Sequence, residues 1–63
     1  MMSKTTTYRG YSATATVVYD RRARMWLVEC EGRGVMCASK KEAVGAMWDA
    51  ANSAAIKGFY EKR

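Results

Sequence analysis

Sixty-three residues carry eleven Lys and Arg against six Asp and Glu, a formal net charge of +5, with no histidine and no proline. So few residues make one small domain near the lower limit at which a single core sustains itself, which favours dimerisation or docking on a partner. The basic balance favours acidic proteins, nucleic acid or anionic surfaces. No apolar run approaches the about 18 residues of a membrane span, and no signal-peptide pattern opens the chain, so a cytoplasmic protein with no membrane partner is expected.

Residues 1–10 are polar and read as a flexible N-terminal lead. From Tyr11 to Tyr19 the chain alternates, with Ala13, Ala15, Val17 and Tyr19 on one face and Ser12, Thr14, Thr16 and Val18 on the other. β-branched residues at period two predict a half-buried strand. Asp20-Arg21-Arg22-Ala23-Arg24 is too polar for a core and forms the first turn. Met25 to Glu31 gives a second strand, with Trp26, Val28 and Cys30 on one side and Met25, Leu27 and Glu29 on the other. Gly32-Arg33-Gly34 reads as a tight turn, and Val35 to Ala38 as a short third strand. Connections this short require antiparallel neighbours.

Ser39-Lys40-Lys41-Glu42-Ala43 then marks the start of a helix. Ser39 can accept a hydrogen bond from the Glu42 N–H while the Glu42 carboxylate reaches back to the Ser39 N–H, the capping box. Lys40 and Lys41 occupy the first turn, where the helix dipole is already positive and carboxylates are the usual choice. Beyond them the period becomes 3.6. Ala43, Val44, Met47, Trp48, Ala50, Ala51, Ala54 and Ala55 fall in an arc about 160° wide at roughly 100° per residue. Gly58 is the expected stop, and residues 59–63 a short tail. The predicted fold is α+β: a three-stranded antiparallel β-meander with one C-terminal helix packed on one face, spanning residues 11–58. With alanines dominating the helix, Trp26 and Trp48 are expected to supply most of the buried volume, and truncating either to Ala to cost ~3–5 kcal/mol.

Catalytic chemistry is hard to find. Without histidine the usual general base at neutral pH is missing, and Glu29 and Glu31 are not placed as a carboxylate pair. Cys30 and Cys37 are too few ligands for a structural zinc site even with Glu29 or Glu31, and they read as reduced core thiols. A non-enzymatic protein with no metal and no cofactor is expected. Two surfaces are candidates for binding. One is the open face of the sheet, where Thr14, Thr16, Val18, Met25, Leu27 and Met36 point away from the helix and form a contact patch for a protein. The other is a basic edge: meander geometry brings Arg21, Arg22 and Arg24 to the same end as Lys40 and Lys41, a site for phosphate or nucleic acid.

Thr14 to Asp20, Met25 to Cys30, the glycine turn, and Ser39 through Glu42-Ala43 resemble the N-terminal domain of HicB-like antitoxins, with Ala55-Ile56 matching the family's helix ending. The resemblance covers residues 12–57 and implies a βββα fold related to a partial ribonuclease-H-like sheet. It also implies a module that binds and inhibits a small RNA-cleaving toxin and often dimerises. The chain departs from that family in its basic charge and in stopping just after the helix, where the family continues into a DNA-binding domain. Ser39 to Ala43 is also similar to the helix opening of double-stranded-RNA-binding domains, in which Lys40 and Lys41 would grip phosphates. The basic βββα pattern is similar, too, to the arm domain of phage integrases. The leading expectation is an antitoxin-like or phage inhibitor or adaptor acting by protein contact, on a toxin-like ribonuclease, another complex or itself. The alternative is nucleic-acid binding through the basic edge.

Overall fold

The computed structural model describes residues 1–61; Lys62 and Arg63, part of the expected tail, lie outside the described residues. These form β1 (Met2–Tyr8), β2 (Tyr11–Asp20), β3 (Met25–Cys30), β4 (Arg33–Cys37) and α1 (Lys40–Glu61). The sheet is antiparallel throughout, in the order β1-β2-β3-β4.

Four strands, not three, correct the βββα expectation. Within the stretch expected to be a flexible lead, Met2 to Tyr8 pair with β2, from Met2↔Val17 to Tyr8↔Tyr11. Its turn explains how. Arg9 and Gly10 both adopt positive φ, 49° and 85°, the conformation of the two-residue hairpin turn whose twist matches the flanking strands. Glu31 and Gly32 repeat it at 51° and 80°. That second turn is therefore one step earlier than Gly32-Arg33-Gly34, and it frees Arg33 and Gly34 to open β4. The Asp20 to Arg24 turn is built differently: Asp20 Oδ1 accepts from the N–H groups of Arg22 (2.9 Å) and Ala23 (3.2 Å).

The helix start is where the sequence places it. The Glu42 N–H donates to Ser39 Oγ at 3.2 Å, and the Ala43 N–H to the Ser39 carbonyl at 3.0 Å. The reciprocal bond from the Glu42 carboxylate is not made among the described residues. At the other end Gly58 is no stop. It is buried inside α1, which continues through Phe59 and Tyr60 to Glu61. A helix of 22 residues spans ~33 Å, matching the ~34 Å of the ten-residue β2 beneath it. α1 therefore runs the length of β2, flanked by β1 and β3, and only marginally reaches β4.

The core is built from small residues. Ala13, Ala15 and Val17 of β2, with Val28 and Cys37, meet the helix ridge of Ala43, Met47, Ala51 and Ala55. Repetition every four residues places that ridge in one line, and the absent side-chain bulk lets the helix lie close to the sheet. The tryptophans do not fill this core. Val17 is the largest fully buried side chain; Trp48 is 44% exposed, with Lys4 Nζ 4.0 Å above its ring, and Trp26 is half-buried against Tyr19. At the far end Tyr8 meets Phe59 edge-on at 5.4 Å, so Phe59, expected in the tail, clamps the helix to the first hairpin.

Candidate functional site

Side-chain alternation fixes the two faces of the sheet. Under the helix lie Lys4, Ala13, Ala15, Val17, Trp26, Val28 and Cys30; the opposite face carries Thr14, Thr16, Val18, Met25, Leu27 and Met36. All six residues read as an open-face patch are on that face, but they do not form one surface. Val18 pairs with Leu27 and Leu27 with Met36, so three apolar side chains make a continuous row across β2, β3 and β4. Val18 and Met36 are each 40% exposed. Met25 extends the row two residues before Leu27. Leu27 itself leans over Gly34, where a Cβ would meet its Cδ1 at 3.3 Å.

Thr14 and Thr16 belong to a different half. Thr14 shares a hydrogen bond of 2.7 Å with Thr5, and Thr7 one of 2.9 Å with Ser12. With Ser3 opposite Thr16, these hydroxyls form a polar field over β1 and β2. The β1 hydroxyls were missed because residues 1–10 read as a lead. Their signal was the alternation of Ser3, Thr5 and Thr7 with Met2, Lys4, Thr6 and Tyr8. Glu29, between Thr16 and Gly34, separates the polar field from the apolar row.

The sheet topology also places Arg21, Arg22 and Arg24 at the end where β4 gives way to Lys40 and Lys41. All five are exposed. Among the described residues the ion pair within 4.0 Å is Lys57–Glu61, which involves none of them. The apolar row reaches this same end, since Val18 lies two residues before Asp20 and Met25 pairs with Asp20. The apolar row therefore runs up to the basic end of the sheet.

The cysteines stand apart. Cys30 pairs with Arg33 and Cys37 with Trp26, four residues along β3 and about 13 Å at strand spacing, beyond disulfide reach. The Cys30 thiol donates to the Ala50 carbonyl at 3.7 Å. Burial, and secondarily the charge of Glu31, push its pKa up. Among the described residues no cluster of three or more His, Cys, Asp or Glu could hold a metal ion, and no helix is long and apolar enough to cross a membrane.

No family model, curated protein or solved structure matches this chain. The resemblances to HicB-like antitoxins and to double-stranded-RNA-binding domains therefore do not identify it, and its four-stranded sheet departs from the three-stranded arrangement they imply.

Proposed function

We propose that this protein is a small non-enzymatic binding module, acting in the cytoplasm, whose open sheet face docks on another protein. The observation that carries this reading is the cross-strand row Val18–Leu27–Met36, apolar and partly exposed on the face opposite the helix. Contiguous apolar surface loses its hydration on contact with a complementary surface, at roughly 25 cal/mol per Å² removed from water. The basic end that the row runs up to, with Arg21, Arg22, Arg24, Lys40 and Lys41, selects the partner's chemistry: an apolar surface with carboxylates at one end. Inhibitor and adaptor roles both use such a surface.

Nucleic-acid binding is the second reading, favoured by one observation. Five exposed cations gather at one end of the sheet without an ion pair among the described residues. Salt separates the two. Phosphate-driven binding weakens steeply as salt rises, because bound cations release condensed counterions. Titration of duplex DNA and duplex RNA at low and moderate salt is expected to show no salt-steep binding. Tight binding lost on replacing both Lys40 and Lys41 by Glu, and kept on Leu27→Lys, would overturn the protein-docking reading.

A further inference from the structure

The two edges of the sheet are unlike. β1 is covered by α1 on its inner face and carries Lys4 there, held over Trp48. A charge pointing inward from an edge strand is a recognised obstacle to adding another strand. β4 carries its one charge, Arg33, at its first residue and none at its centre. Its centre is Gly34-Val35-Met36, without charge or proline, and its outer edge pairs with no described residue. Val35 is 56% exposed on the helix side and Met36 40% exposed on the open side, so the strand's centre is uncovered on both faces, while Cys37 at its end is buried. The cause is the position of α1 over β2, two strands and roughly 10 Å away. Beside Val35 this leaves a groove of ≈ 420 Å³ floored by Val28 and walled by Ala46, Ala50 and Ala54.

We infer that β4 is a self-association edge, on which β4 of a second copy pairs antiparallel about a two-fold axis through Val35. This register keeps all five residues of each strand paired. Val35 meets Val35 of the partner subunit, Gly34 meets the partner's Met36, and Arg33 meets the partner's Cys37, so no like charges oppose one another. At each end of the paired strands the Glu31–Gly32 turn that precedes β4 comes beside the segment that follows the partner's Cys37, where the partner's Lys40 and the partner's Lys41 open the helix. That opposite-charge approach occurs twice in the dimer, and it is what selects a second copy over an unrelated strand. Antiparallel pairing also sends the two Arg21–Arg24 turns to opposite ends of an eight-stranded sheet, which separates the basic ends of two chains of net charge +5. The two grooves merge into one trough between the helices. Five paired residues a side bury less than the ~1,200 Å² of a standard interface, so the dimer is weak and reversible.

This inference uses the edge and inner side of β4 and does not rest on the open-face reading. Sedimentation equilibrium from low micromolar to millimolar protein tests it, with circular dichroism melting to confirm that each variant folds. The chain is expected to dimerise as concentration rises. Val35→Lys, which sets two ammonium groups face to face, is expected to be monomeric throughout, while Leu27→Lys still dimerises. Glu31→Lys is expected to weaken association several-fold, and combination with Lys40→Glu and Lys41→Glu to restore it; this pair decides the matter should Val35→Lys not fold. A monomer at every concentration, or a dimer indifferent to both Val35→Lys and Glu31→Lys, would overturn the inference. So would a dimer lost in Leu27→Lys and kept in Val35→Lys, which places the contact on the open face.

Discussion

The ring of Tyr11 lies so close against Gly58 that a methyl group on Gly58 would collide with it. Tyr11 opens β2 and Gly58 sits near the end of α1, so this contact seats the last turns of the helix on the first hairpin. Gly45, by contrast, has open space around the position of a Cβ. Helix propensity favours Ala over Gly by ~1 kcal/mol at both sites, whereas overpacking costs ~1–3 kcal/mol. Gly45→Ala is therefore expected to raise the urea midpoint and Gly58→Ala to lower it. A stabilised Gly58→Ala protein would mean that the Tyr11 contact is absent.

Thr6 Oγ1 is buried on the inner side of β1 with no hydrogen-bond partner. An unsatisfied hydroxyl carries a desolvation penalty of ~1–3 kcal/mol, and valine has nearly the same shape without it. Thr6→Val is expected to stabilise the fold by ~1 kcal/mol in equilibrium denaturation. Destabilisation would indicate that the hydroxyl is in fact satisfied.

Cys30 makes a pH prediction. Its folded pKa is raised above the ordinary thiol value by burial and then by Glu31. The folded state therefore holds the thiol proton longer than the unfolded chain does. The stability from this group is complete below the unfolded pKa and is lost as pH rises through the folded one. Urea midpoints are expected to decline on the alkaline side, and less so in Cys30→Ala. If the two proteins show the same alkaline slope, Cys30 is not its source.

Lys40 and Lys41 oppose the helix dipole, and the first-turn carboxylate is Glu42. Replacing both lysines by Glu is expected to raise stability by a few tenths of a kcal/mol each, read as a higher melting temperature at low salt that converges with the unmodified protein at high salt.

Much of the fold could be read from the residues, for identifiable reasons. β2 alternates small apolar and hydroxyl residues, and Ser39 stands three residues before Glu42. β1 escaped because Lys4 and Thr6 occupy its inner positions, where apolar residues would announce a strand. The clue was local: Tyr8-Arg9-Gly10-Tyr11 uses the same residue-glycine turn as Glu31-Gly32. Trp48 misled because periodicity gives a helix face but not which line within it meets the sheet. The alanine ridge sits over β2, leaving Trp48 at the margin above Lys4. For the candidate site, alternation gave the correct face of β2 to β4. The division of that face depended on β1, whose hydroxyls draw Thr14 and Thr16 away from the apolar row.

The docking surface is probed by a photo-crosslinking residue at Val18, in the apolar row of the open face and two strands from the β4 edge. In the cells that make the protein, a discrete adduct with another protein is expected from position 18. It should disappear in Leu27→Lys, and a crosslinker at Asn52 on the outer side of the helix should not give it. Absence of any adduct at position 18, or an adduct unaffected by Leu27→Lys, would contradict the account.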